Sequence, residues 1–175
     1  MGFFYNCFVC GIPMLFPYHF NSPLTLSAVK IQRENLKEFE RQHFADYSVF
    51  ELIASRTQFC DNLLKQLWQQ FELDKANLTL IAVGGYGRQE IFPLSDLDVL
   101  ILSKEERESE TEEKIAQFVQ FLWDCGFDVG HSVRSLEECE KEGKQDITIA
   151  TNLLESRYLS GDLSLFNALG EILKK

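Results

Sequence analysis

The amino-acid sequence predicts an α+β domain, in which a small mixed sheet carries packed helices and follows an N-terminal helical segment. Three observations support this fold class. Along the chain, the patterns run helices, strand, strand, helix, strand, helix and helix, which fits a small sheet covered by helices. The chain has 175 residues, of which 45% are hydrophobic, so it can bury one core. Two apolar runs of strand length also follow each other closely, on either side of a Gly-Gly turn.

Residues 1–26 are predicted to form an N-terminal extension and loop, since Pro17 and Pro23 favour irregular structure. Met14 offers a better start than Met1, so residues 1–13 are expected to be either translated upstream sequence or a short, variable extension. Cys7 and Cys10 form a Cys-x-x-Cys pair without a second Cys or His pair at finger spacing, so no metal site is expected there.

Residues 27–75 are predicted to form the N-terminal helices. A polar helix covers about residues 27–44, and a second helix begins with a capping box made by Ser48 and Glu51. Apolar residues recur at helical spacing from Leu52 to Phe71, which indicates one buried face.

Residues 76–175 are predicted to form the core of the domain, cut short at its C-terminal end. Strands are expected at Leu78–Val83, at Leu97–Leu102 and over residues 127–134. The charged run over residues 104–113 is expected to be a solvated loop leading into a helix that Gly126 ends.

The C-terminal part of the core is predicted to alternate short helices with one strand. Ser135 and Glu138 form a second capping box, which opens a helix to Gly143. A further helix covers about residues 146–155, and residues 157–160 pair as a short strand. Asp162 caps a last helix that stops at Lys175.

Composition limits the partners of the chain. Its net charge of −10 repels nucleic-acid backbones, so no nucleic-acid partner is expected. No apolar run reaches the length of a membrane span, so no membrane partner is expected either. The five cysteines are scattered and odd in number, which predicts reduced thiols and a cytoplasmic location.

The segment from residue 80 to residue 102 carries the chemistry. Asp96 and Asp98 are two residues apart on a predicted strand, so both side chains lie on one face and can hold a hard cation such as Mg²⁺. Gly84 and Gly85 allow a sharp turn whose backbone can approach a phosphate closely, and Arg88 is a further phosphate contact. Ser95, which directly precedes Asp96, is also expected to contact the nucleotide.

This arrangement of a Gly-Gly turn followed by Asp-x-Asp resembles the nucleotidyltransferase superfamily that includes DNA polymerase β. More closely, the chain is similar to the bacterial PII uridylyltransferase/uridylyl-removing enzyme family from about Leu15 to its end. Gln89, where that family usually has glycine, and Phe92, where histidine is common, depart from its pattern. Three segments carry this resemblance: residues 84–98, residues 129–134 (Val-Gly-His-Ser-Val-Arg) and residues 150–157 (Ala-Thr-Asn-Leu-Leu-Glu-Ser-Arg).

The resemblance implies a polymerase-β-like fold, Mg²⁺ bound by aspartates, and a third carboxylate on a later strand. Asp128 is the candidate, because it alternates with Phe127 and Val129 on the predicted third strand; the alternative is a solvated aspartate at a strand edge. Asp124 and Asp146 are weaker candidates, since both look like helix-terminal residues.

The implied activity is transfer of UMP from UTP to a tyrosine hydroxyl of the PII signalling protein. The resembling enzymes also carry an HD-type hydrolase domain and ACT domains; since this sequence has no His-Asp dipeptide, we expect a fragment without the uridylyl-removing site. Two alternatives remain open, namely a non-catalytic nucleotide-binding remnant and another transferase of the superfamily, such as a glutamine synthetase adenylyltransferase.

Overall fold

The computed structural model describes residues 15–104 and 108–174. The expectations for residues 1–13, with Cys7 and Cys10, therefore lie outside the described residues, as do part of the charged run and Lys175. Within the described ranges the elements follow in this order: α1 (Leu26–His43), α2 (Val49–Gln70), β1 (Leu78–Ala82), α3 (Gly84–Gly87), β2 (Val99–Ser103), α4 (Ser109–Asp124), β3 (His131–Ser135), α5 (Leu136–Gln145), α6 (Ile147–Leu154), β4 (Arg157–Gly161) and α7 (Leu163–Ile172).

The four strands form one mixed sheet in the order β3-β2-β1-β4. β1 is antiparallel to both β2 and β4, whereas β2 and β3 run parallel in a register that pairs Val99 with His131. The chain crosses from β2 to β3 through α4, as a parallel pair requires a long connection. The α+β fold class is confirmed.

Side-chain caps start the helices where the sequence predicts them. The Ser48 hydroxyl accepts from the Glu51 N–H at 3.3 Å, and the Glu51 carboxylate accepts from the Ser48 N–H at 2.9 Å. The equivalent bonds between Ser135 and Glu138 are 3.1 and 2.7 Å long. Asp162 caps α7 through the Ser164 N–H at 2.8 Å.

The sheet separates two apolar clusters. The larger one packs α1, α2 and α4 on one face and includes the fully buried Phe59, Trp68 and Phe118. The smaller one lies on the other face, beneath α5, α6 and α7, around Ile81, Leu100 and Leu153. Among the described helices, none is both long enough and apolar enough to cross a membrane.

Four predicted boundaries were wrong, namely the starts of β2 and β3 and the ends of α5 and α7. β2 and β3 begin at Val99 and His131, later than expected, because Gly84 turns the chain away at a φ of +56° and β1 ends before it. α5 passes Gly143 and ends at Gln145, where the extended residue Asp146 stops it and caps α6. α7 ends at Ile172 rather than at Lys175.

Candidate functional site

The three predicted acidic residues lie just before the strands that were expected to contain them. Asp98 still continues the sheet, because its carbonyl accepts the Val83 N–H at 3.0 Å. The Asp128 carbonyl likewise accepts the Leu97 N–H at 2.8 Å. The first pair of the parallel register is Val99 with His131. Counting three residues back along both segments places Asp96 beside Asp128. The structure thus brings both acidic segments to the same end of the sheet.

Two glycines shape the position of the Asp98 side chain. A Cβ on Gly84 would lie 3.5 Å from one carboxylate oxygen of Asp98 and 3.5 Å from the side-chain oxygen of Asn152. A Cβ on Gly130 would overlap the other carboxylate oxygen of Asp98. The Asp98 carboxylate therefore lies between the turn after β1 and the segment before β3, and it fits there because Gly130 lacks a side chain.

The electrostatics of Asp98 reflect its neighbours. Burial raises the pKa of the Asp98 carboxyl above its ordinary value, and the negative charges of Asp96 and Asp128 raise it further. The Asp98 carboxylate is therefore close enough to Asp96 and Asp128 for their negative charges to repel it. A bound cation would compensate this repulsion.

The described ranges contain no ready-made set of three or more His, Cys, Asp or Glu side chains around a metal position. The donor chemistry at Asp98 nonetheless fits Mg²⁺, which takes oxygen ligands and commonly combines one or two carboxylates with water and substrate phosphates. Asp96, Asp98 and Asp128 are the residues that would hold it.

The glycine turn continues into the one-turn helix α3. No side chain caps this helix in the part of the chain that the structure describes, and the first N–H groups of a helix have no partner within it. At Gly85 the nearest atoms to an added Cβ would be the Glu90 carbonyl at 3.7 Å and the Arg88 guanidinium at 3.9 Å, which are ordinary van der Waals contacts. Gly85 is half-buried, so its backbone is partly accessible to a ligand.

A polar network fixes α3 to its surroundings. Arg157 on β4 makes a bidentate ion pair with Asp61 on α2, with nitrogen–oxygen distances of 2.7 and 3.0 Å. The buried Tyr86 hydroxyl donates to Asp61 at 2.8 Å, and Arg157 also donates to the carbonyls of Tyr86 and Gly87, both at 3.3 Å. The network joins the glycine turn to two elements that lie far apart in sequence.

Two other predicted residues are engaged within the protein. Arg88 donates to Glu90 at 2.8 Å and also pairs with Glu155, while its side chain stays 45% exposed. The Ser95 hydroxyl accepts the Phe92 N–H at 3.1 Å and closes the turn before Asp96. Contacts from either residue to a nucleotide stay predictions.

A cleft of about 250 Å³ opens beside Asp98. The strands β2 and β3 line one side of it and α6 lines the other. Besides Asp98, the cleft has polar lining residues to which the sequence analysis gives no site role, although all of them fall in the family-like segments over residues 129–134 and 150–157. These residues are His131, Ser132, Arg134 and Asn152.

His131, which the sequence places near the third strand as a single histidine, is exposed at the mouth of this cleft. Its ring packs edge-on against Trp123 with 5.7 Å between the ring centroids. Asp124 and Asp146 are helix-terminal, as expected: Asp124 accepts from Gln120, and Asp146 caps α6.

Comparison with known proteins identifies the family of the chain. The family described as "Putative nucleotidyltransferase DUF294" matches residues 34–133. A protein of Pasteurella multocida (strain Pm70), named "Bifunctional uridylyltransferase/uridylyl-removing enzyme", is 63% identical over 163 residues, covering 93% of this chain and 19% of that protein. Proteins with the same name from Haemophilus influenzae (strain PittEE) and Vibrio cholerae serotype O1 are 63% and 42% identical, over 93% and 90% of this chain.

The chain spans about a fifth of the length of these relatives, 19% of the first two and 18% of the third. The matched residues 34–133 make up more than half of the 175-residue chain and include the glycine turn and all three aspartates. The chain belongs to this nucleotidyltransferase family, and its mixed sheet with packed helices is the polymerase-β-like fold.

Proposed function

We propose that this protein is the nucleotidyltransferase part of a uridylyltransferase, which transfers UMP from UTP to a tyrosine hydroxyl of the PII signalling protein. One observation carries the proposal: the Asp98 carboxylate is placed between Gly84 and Gly130, directly beside the glycine turn. That arrangement sets a metal-binding carboxylate next to a backbone that a phosphate can approach.

The acidic residues take the metal-binding role. Asp96, Asp98 and Asp128 would hold Mg²⁺, which when bound neutralises negative charge on the reacting phosphate and on the leaving pyrophosphate. Burial and the charges of Asp96 and Asp128 raise the pKa of Asp98, which supports this role, because a bound cation would favour the ionised form. Asp128 would in addition orient the attacking hydroxyl.

The glycine turn takes the phosphate-binding role. Gly84 and Gly85 leave room for phosphate oxygens at the backbone, and Arg88 would contact them with the part of its guanidinium that faces solvent. Ser95 would assist by holding the turn that carries Asp96. These residues bind and orient, and in-line attack of the hydroxyl oxygen on the α-phosphorus would release pyrophosphate.

The choice of UTP and PII rests on the relatives. Their shared name supports uridylyl transfer over the adenylyltransferase alternative, and the intact acidic residues support catalysis over a non-catalytic remnant. The three described cysteines, Cys60, Cys125 and Cys139, are buried thiols, which supports the proposed cytoplasmic location.

The metal-binding part of the proposal is tested by replacing Asp96 and Asp98 with asparagine together. Calorimetric titration of UTP in the presence of Mg²⁺ should show binding by the natural chain and none by the double variant, since neutral amides are poorer ligands. Circular dichroism should show the same helix content in both proteins. Equal affinity of the two proteins for UTP would contradict the site.

Transfer is tested separately, with labelled UTP, Mg²⁺ and PII. We expect these 175 residues alone to label PII weakly or not at all. Transfer needs the acceptor held close to in-line geometry, and a misplacement of about 1 Å can lower the rate roughly a hundredfold. The full-length relative from Pasteurella multocida, of which the chain covers 19%, should label PII faster. Equal rates would refute the expectation, and no label from either protein would favour a different acceptor.

A further inference from the structure

We propose that Arg134, together with Ser132, forms a subsite for the terminal phosphate of the nucleoside triphosphate, so that the cleft beside Asp98 selects a triphosphate over a diphosphate. This inference rests on the proposed function, because it assumes that the glycine turn and the aspartates bind a nucleotide. It adds a residue and a specificity to that site.

The cleft connects the aspartates to Arg134. It is lined by Asp98 and Gly130 near the strand ends and by Arg134 further along β3, with Asn152 on the facing helix α6. Because side chains alternate along a strand, Ser132 and Arg134 belong to the same face of the sheet. A ligand bound at Asp98 can therefore extend along this face.

The guanidinium of Arg134 lies back toward the acidic end. Its Nη1 donates to the Ser132 hydroxyl at 3.1 Å, so the group lies near position 132 rather than beyond position 134. With a rise of about 3.3 Å per residue, position 132 is roughly 7 Å along the strand from Gly130. A distance of this order suits a phosphate chain that begins at the aspartates.

The ion pair of Arg134 leaves one edge of the guanidinium for a ligand. The Nε donates to Glu142 at 2.8 Å, while no described residue accepts from Nη2. The side chain is 23% exposed, so water has partial access to it and the cleft is not sealed. Of the Arg and Lys side chains in the described residues, Arg134 alone lines this cleft. A planar guanidinium that Glu142 holds at one edge can donate from its other edge to a phosphate oxygen.

Asn152 adds a neutral contact at the other wall. Its side-chain oxygen lies 3.5 Å from the position that a Cβ on Gly84 would take, and so Asn152 borders both the glycine turn and the cleft. The described structure gives its side chain no hydrogen-bond partner, and the amide is therefore available to a phosphate oxygen. Asn152 therefore lies at the Asp98 end of the cleft, whereas Arg134 supplies positive charge further along β3.

The test compares Arg134→Gln with Lys144→Gln by titrating UTP, UDP and inorganic tripolyphosphate in the presence of Mg²⁺. Lys144 is 70% exposed on the same helix as Glu142, so its substitution removes the same charge outside the cleft. Loss of a hydrogen bond to a charged group should weaken UTP and tripolyphosphate binding by about tenfold to a hundredfold in Arg134→Gln. UDP binding should change little, and Lys144→Gln should bind all three ligands like the natural chain.

The subsite would be overturned if Arg134→Gln lost no UTP affinity or lost equal affinity for UTP and UDP. It would also be overturned if Lys144→Gln lost as much affinity as Arg134→Gln. If Arg134→Gln does not fold, the Glu142→Gln variant provides the test, because it removes the ion pair that holds the Arg134 guanidinium. This variant should bind UTP with the same or higher affinity. Weaker binding would overturn the inference. UTP binding that needs Asp98 but not Arg134 would refute the subsite alone. A natural chain that binds no UTP would refute the proposed function together with it.

Discussion

Gln89 occupies a backbone conformation that favours glycine. Its φ is +65°, in the left-handed region, and its N–H donates to the Tyr86 carbonyl at 3.1 Å to close the turn that follows α3. The Gln89 carbonyl accepts from the Thr57 hydroxyl at 3.4 Å, which helps to hold the residue in place. Because the family-like pattern usually has glycine at this position, we expect Gln89→Gly to stabilise the protein.

The expected gain in stability is the difference between two opposing contributions. A non-glycine residue in the left-handed region loses roughly 1–2 kcal/mol relative to an unstrained conformation. Glycine loses more conformational freedom on folding, by roughly 0.5–1 kcal/mol. The Gln89 side chain is exposed and makes no hydrogen bond in the described structure, so its removal adds little. The net gain in the free energy of unfolding is therefore about 0.5–1 kcal/mol, or about 1–4 °C in Tm for a chain of this size.

Urea denaturation followed by circular dichroism measures this gain. Two matched variants serve as controls. Gln117→Gly, on the exposed face of α4, should lower the free energy of unfolding by about 0.5–1 kcal/mol. Gln89→Asn should raise it by less than Gln89→Gly does, because asparagine tolerates positive φ. The three proteins should unfold with similar denaturant slopes. If Gln89→Gly loses as much stability as Gln117→Gly, the strain argument is wrong.

Three further outcomes follow from the site. Gly130→Ala should abolish Mg²⁺-dependent UTP binding while most of the stability remains, because the new methyl overlaps the Asp98 carboxylate; calorimetry and thermal melting separate the two effects. Arg157→Lys should lower the free energy of unfolding by about 1–3 kcal/mol in urea titrations, since lysine cannot reproduce the bidentate pair with Asp61. Asp98→Asn should raise the Tm of the metal-free protein at neutral pH. The folded-state pKa of Asp98 is raised, so the wild-type protein loses stability as the pH rises through that pKa, and the advantage of the variant should vanish in acid; a Tm difference independent of pH would contradict this.

Local features of the fold could be predicted because their physics is local. The two capping boxes and the Asp162 cap each join residues two or three positions apart, and all three start helices in the structure. The glycine turn and Asp98 meet for a similar reason, since they lie close to the paired ends of β1 and β2, where Ala82 is opposite Val99.

The contacts that complete the site could not be predicted in this way. Arg157 and Asp61 are 96 residues apart, and nothing in either local pattern indicates the other. Arg88 and Glu155 are 67 residues apart and pair only because α6 returns to the glycine turn. The late starts of β2 and β3 had a similar cause, since strand ends depend on where the neighbouring strand stops. Side-chain pairs of this kind are set by the tertiary fold.

The unequal size of the two apolar clusters has a consequence for motion. The helices α5, α6 and α7 rest on the smaller cluster, whereas β1 and β2 are also held by the larger one. Cooperative units with fewer buried contacts open at a lower free energy, so this layer should detach transiently while the rest stays folded. Native-state hydrogen exchange would then show faster exchange in α6 than in β1. Within the described structure, the wall of the cleft that carries Asn152 should thus open more readily than the β2 wall opposite it.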